Sequence, residues 1–143
     1  MNILAHLQFG DNRSAHYHQE YLVVGCRTHL MRRYGTYRPE SAPGFDSLEV
    51  TLIAPGKEDL SLYEWYFNNS MRNGRLCFAL LDVRTQGDDE VQRVYAFEGA
   101  QCYALSERYD LHNRSQRLLT LKLTAKLFTV DQVAFGEDPD MLF

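Results

Sequence analysis

Hydrophobic and polar residues alternate with period two along much of this chain. In "NILAHLQFG", residues 2–10, Ile3, Ala5, Leu7 and Phe9 oppose Asn2, His6 and Gln8, and only Leu4 breaks the rule. Successive side chains of a strand project to opposite faces, so this pattern predicts a strand with one wet face. After the polar turn "GDNRSAHYH", the run "EYLVVGCRTHLMRR" predicts a long second strand. "YGTYRPESAPGFDS" carries Gly35, Pro39, Pro43 and Gly44 and reads as a long loop. "LEVTLIA" predicts a third strand and the apolar run "RLCFALLDV" another, covered on both faces. Past the polar turn "RTQGDDE", the stretch "VQRVYAFEGAQCYALSERYD" gives one or two strands, bent at Gly99. "RLLTLKLTAKLFTV" reads as a closing strand with Leu119, Leu121, Leu123, Ala125 and Leu127 on one face and Thr120, Lys122, Thr124 and Lys126 on the other.

One segment follows a different period. In "SLYEWYFNNS", residues 61–70, Leu62, Trp65, Tyr66 and Asn69 fall on one helical face, with Tyr63 and Phe67 beside it. Ser61 and Glu64 stand at capping-box spacing, and Asn73–Gly74 supplies a stop, so a helix of about three turns is expected. The fold class predicted is therefore mainly β, an antiparallel barrel or sandwich with one α-helix. The aromatic face of that helix is expected to close an open end or edge of the barrel.

Composition narrows this picture. The 143 residues suit a single domain, residues 1–143, with 45% hydrophobic and 24% charged residues, the mix of a soluble globular protein. No apolar run is long enough to cross a bilayer, and the N-terminus shows no secretory signal, so export would need another route. The net charge of −4 argues against a nucleic-acid partner. Twelve of the fifteen basic residues are arginines, and Arg27, Arg32, Arg33 and Arg38 cluster in "RTHLMRRYGTYR", a segment suited to acidic surfaces of other copies or to phosphate. Cys26, Cys77 and Cys102 are odd in number and sit in apolar patterns, which predicts buried, reduced thiols.

Candidate chemistry is sparse. His16 and His18 project together from a strand, with Glu20 near, but no third ligand stands at a useful spacing, so no metal is expected. Asp88, Asp89 and Glu90 lack the spaced oxygen ligands of a calcium loop. Ser61, Ser106 and Ser115 have no nucleophile-elbow glycines, and no phosphate-loop spacing occurs. Glu64 beside Trp65 is explained by helix capping, and the aromatic cluster by core packing. Neither catalysis nor a cofactor is expected.

The order and spacing of three segments resemble the hemolysin-coregulated protein family (Hcp, or TssD), the tube protein of type VI secretion, especially its Bacteroidetes-type branch. "DLSLYEWYFNNSMRNGRLCFAL" is similar to that branch's helix and following strand, "VYAFEGAQCYALSERYD" to its F-E-x-A strand, and "RLLTLKLTAKLFTV" to its closing strand. The loop after "LMRRYGTYRP" sits where the family has an extended loop. The resemblance implies a non-enzymatic barrel subunit that closes into hexameric rings. The rings would stack into a hollow tube carrying effectors, propelled by a sheath and capped by spike proteins. It implies a bacterial cytoplasmic protein exported through the secretion apparatus. On this reading Arg32, Arg33, Tyr37 and Arg38 are candidates for ring stacking. Thr120, Lys122, Thr124 and Lys126 are candidates for the lumen wall, with an ordinary solvent face as the other reading. Ser61, Glu64, Trp65 and Tyr66 form the structural helix. Two alternatives stay open: a monomeric β-sandwich that binds a ligand at the aromatic helix, and a tube protein of another phage-tail-like particle.

Overall fold

The computed structural model describes residues 2–31, 44–81, 90–110, 112, 116–131 and 133–136. Eight strands and one helix follow in the order β1 (Asn2–Asp11), β2 (His16–Met31), β3 (Gly44–Ile53), α1 (Ser61–Asn68), β4 (Arg72–Leu81), β5 (Glu90–Asp110), β6 (Gln116–Thr124), β7 (Leu127–Val130) and β8 (Val133–Gly136). All the pairings are antiparallel. Because β4 pairs with both β1 and β5, the order β4-β1-β2-β3-β6-β5 closes on itself as a six-stranded barrel, and β7 and β8 extend from β5.

Two long strands make this closure possible by changing partners along their length. β2 pairs with β1 up to Val23 and with β3 from Val23 onward, with a register shift between Val23 and Gly25. β5 pairs with β4 up to Ala100 and with β6 from Gln101 to Asp110. The bend expected at Gly99 lies at that exchange, where φ is +62°, a conformation glycine adopts without steric penalty. Period-two patterning then fills the interior. Leu7, Phe9, Leu48, Val50, Leu52, Leu76, Phe97, Leu119, Leu121 and Leu123 are all buried.

The closing run is not one strand. It breaks at Ala125–Lys126 into β6 and β7, and Lys126 N donates to Glu98 O at 3.1 Å as the run parts from β3 and continues along β5 in the same register. The break shifts the inward face by one residue, so Phe128 is buried while Leu127 is only partly covered. The strand patterns elsewhere hold within a few residues, although β3 begins at Gly44, inside the segment expected to be loop. Of the three thiols expected to be buried, Cys102 is, Cys77 is half-covered and Cys26 is exposed. Cys26 shares a register position with the buried Val50, but β1 has already left β2 at that level, so nothing from β1 covers it.

The helix differs from expectation at both ends. No capping box forms, because the Ser61 hydroxyl is taken by Gln19 Nε2 at 3.0 Å and the Tyr21 hydroxyl at 2.8 Å. Asp59 receives the Ser61 backbone N–H instead, at 3.0 Å, and Glu64 is exposed. The helix is eight residues long and stops at Asn69, which adopts φ 51°. Asn73 and Gly74 lie within β4, where Gly74 lets the chain of β1 approach: an added Cβ would stand 2.2 Å from Gln8 O. Leu62 and Trp65 face the core, whereas Tyr66, expected on the buried face, is exposed with Phe67.

Candidate functional site

The surfaces this barrel offers to other molecules follow from where its strands exchange partners. Beyond the exchanges, the second half of β2, all of β3, β6 and the second half of β5 form a four-stranded sheet. Among the described residues no strand pairs with the outer edge of β2 beyond Val23, or with the outer edge of β5 from Gln101 to Asp110. Each such edge presents a row of backbone N–H and C=O groups, a template for another strand.

The non-core face of this sheet is polar. Thr51 and Thr120 are register partners joined by a 2.9 Å hydroxyl hydrogen bond, and Ser106 follows beside Thr120. In the next row Arg27, Glu49 and Lys122 stand side by side, so charges alternate in sign across three strands. Opposite charges placed across strands support pairing. Of the lumen candidates, Thr120 and Lys122 belong to these rows and Thr124 ends β6. Lys126 sits in the break after β6, its side chain over Gly99. The stacking candidates Arg32, Arg33, Tyr37 and Arg38 lie outside the described residues.

Where β4 parts from β5, helix α1 takes up the space. Trp65 is buried, its ring meets Phe9 edge-on with centroids 5.2 Å apart, and its indole N–H donates to Ala100 O at 3.1 Å. Arg72 lies 3.8 Å above the Phe9 ring and donates to Gln19 Oε1. Burial pulls the Arg72 pKa down, while Tyr21 and Asp59 oppose that shift. For Asp59, burial by itself would raise the pKa, but hydrogen bonds from the Ser61 N–H and the Tyr21 hydroxyl outweigh it and hold the carboxyl below its ordinary range. Tyr63 donates to Glu107 on β5, and burial together with that bond pushes its phenol up to about 12. Polar ties therefore fasten both the start of the helix and its flank. Sequence reasoning missed Gln19, Tyr21, Asp59 and Arg72, because residues so far apart in the chain carry no shared local pattern.

A cleft of about 420 Å³ lies between Asn12, Tyr17, Arg75, Ala96, Thr129 and Asp131. Its polar groups are largely engaged with one another. The Arg75 guanidinium lies 4.2 Å above the Tyr17 ring with Nε on Gln8 Oε1, Tyr17 donates to Asn12, and Asp131 accepts from Arg93 and from the Val94 N–H. Among the described residues no three His, Cys, Asp or Glu side chains converge as metal ligands. His16 and His18 are both exposed.

Among the described residues, the second halves of β2 and β5 therefore each offer an unpaired edge, flanking one polar sheet face on a closed antiparallel barrel. Comparison then gives the lineage: the family model for the hemolysin coregulated protein Hcp (TssD) matches residues 1–138, and the chain belongs to that family. It is a tube subunit of a type VI secretion system. Its fold is similar to Hcp1 from Flavobacterium johnsoniae, with a TM-score of 0.66 at 13% identity over 94% of this chain and 99% of that one. A type VI secretion system effector from Yersinia pestis gives 0.58 at 8% identity, over 90% and 88% of the two chains. A chain from the anti-feeding prophage baseplate gives 0.51 at 14% identity, over 90% and 91%. Identities this low establish the shared fold alone. No curated protein sequence matches the chain.

Proposed function

We propose that six copies of this chain form a ring by joining the free edge of β5 in one copy to the free edge of β2 in the next. The observation that carries this reading is strand direction. In the order β2-β3-β6-β5 every neighbour is antiparallel, so β2 and β5 run in opposite directions. A β5 edge meeting a β2 edge therefore continues the antiparallel alternation, and every junction is the same. Two different edges joined around a rotation axis make the head-to-tail contact that a closed ring requires. The rows through Thr51, Thr120 and Ser106 and through Arg27, Glu49 and Lys122 then repeat around one continuous surface, which suits the wall of a water-filled lumen. Stacking of such rings, with Arg32, Arg33, Tyr37 and Arg38 meeting acidic groups of the next ring, gives the tube.

In this role the protein is structural rather than catalytic. It carries effectors in the lumen, meets the sheath outside and the spike at one end, and leaves the bacterial cytoplasm through the secretion apparatus. Hydrogen exchange across a concentration series tests the ring. Backbone amides in residues 24–31 and 101–110 are expected to gain protection as native mass shifts from one subunit to six. A hexamer whose edge amides exchange at the monomer rate would refute the edge-to-edge junction.

A further inference from the structure

The two exchanges of strand partner that create the edges also leave two apolar features exposed, one beside each edge. Beside β5, helix α1 turns Leu62 and Trp65 inward and leaves Tyr66 and Phe67 outside, their rings edge-to-face with centroids 5.5 Å apart. Phe67 is 77% exposed and Met71, just past the helix, is 50% exposed. A bare aromatic pair of this kind is what interface anchors look like.

Beside β2 the reverse shape occurs. β1 leaves β2 after the Ala5–Val23 pair, and among the described residues no second helix fills the gap. Ile3 continues the inward-facing series of Ala5, Leu7 and Phe9, yet it is 66% exposed. Cys26 stands opposite the buried Val50, hence on the core side of the sheet, and is also exposed; Val24, at the register shift, is 53% exposed. The result is an apolar notch on the core side of an unpaired edge.

The helix and the notch lie at matching heights. One row of the sheet runs Leu105–Leu121–Val50–Cys26, and the next runs Glu107–Leu119–Leu52–Val23. Helix α1 lies along this part of β5, from Glu107, bonded to Tyr63, to Gln101, whose side chain donates to Asn69 O. It therefore covers the rows that end at Cys26 and at Val23, with Val24 in the register shift between them, at the other end of the sheet.

We propose that the exposed face of α1, formed by Tyr66, Phe67 and Met71, packs into the notch that Ile3, Val24 and Cys26 of the adjacent copy leave open. The proposal rests on the ring reading above and adds its principal apolar contact. Joining two strand edges satisfies backbone groups but brings little apolar area together, whereas standard interfaces bury about 800 Å² per partner. The helix supplies the knob and its neighbour the hole, so one element closes its own barrel with Trp65 and the next barrel with Phe67.

Two measurements test it. Phe67→Asp changes a solvent-exposed side chain and is expected to keep the wild-type thermal transition, while raising the subunit concentration for half-assembly by about tenfold or more. In a Cys26→Ser background, the Ile3→Cys/Phe67→Cys double variant is treated with a short bismaleimide. It is expected to give a ladder of covalent multimers up to six, with neither single variant doing so. Wild-type hexamers combined with normal assembly of Phe67→Asp and no ladder would overturn the helix contact and leave the ring standing. Wild-type protein that stays monomeric at every concentration would overturn both.

Discussion

The indole N–H of Trp65 reaches across from the helix to the carbonyl of Ala100, 3.1 Å away, at the point where β5 leaves β4 and turns toward β6. Ala100, paired with Arg72, is the last residue of β5 that β4 accompanies, and Trp65 gives its carbonyl a donor and packs its ring against Phe9. One side chain thus seals the core and satisfies the backbone at the exchange.

Truncating that side chain separates the two roles. Trp65→Ala is expected to cost about 3–5 kcal/mol through lost burial and the cavity it leaves. Trp65→Phe keeps much of the ring but leaves the Ala100 carbonyl without its donor, for about 1–3 kcal/mol. Urea unfolding monitored by circular dichroism measures both; a Trp65→Phe variant as stable as wild type would show that the hydrogen bond contributes nothing.

Gly74 should be intolerant of any side chain. An added Cβ would stand 2.2 Å from Gln8 O and 3.1 Å from the Phe9 Cα, both backbone atoms of the paired strand, so β1 and β4 would have to separate. Gly74→Ala is expected to yield little folded protein. Gly56→Ala meets nothing within 4 Å and should stay within about 0.5 kcal/mol of wild type. Comparable soluble yield and melting temperature for the two variants would contradict this account of the β1–β4 contact.

Acid should loosen the start of the helix. The Asp59 carboxyl lies below its ordinary pKa in the folded protein. Its contribution to stability is therefore complete above the unfolded carboxylate value, near 4, and is lost as pH falls through the lower folded value. Wild-type protein is expected to lose more stability between pH 7 and pH 3 than Asp59→Asn does, read from urea midpoints at each pH. Identical losses would remove Asp59 from the acid response.

Lys122 lies on the polar sheet face rather than at an edge. Lys122→Glu is expected to preserve the hexamer by native mass spectrometry while inverting the charge beside Glu49. The lumen reading then predicts altered retention of co-expressed effector cargo, seen by pull-down. Loss of the hexamer would place Lys122 in a junction instead.

Strand identity was legible in the sequence wherever one face of a strand meets the core. The alternation Ile3–Ala5–Leu7–Phe9 and the leucine series of β6 record a local fact, since each side chain's surroundings are set by its own strand. The same holds for the bend at Gly99, which only a residue tolerant of positive φ takes easily. For this reason an antiparallel barrel or sandwich, the helix after β3 and the family resemblance were legible in the sequence.

Tertiary structure decided what depends on residues distant in the chain. Ser61 carries the signature of a capping residue, yet Gln19 and Tyr21 claim its hydroxyl and Asp59 takes over the cap. The leucine pattern continues through Ala125 and Lys126, but the backbone parts from β3 there while staying beside β5, and no periodicity registers such a change. The exposure of Phe67 and Cys26 likewise follows from strands that part company. Periodicity reports which side of an element is apolar; only the assembled chain determines whether that side is already covered.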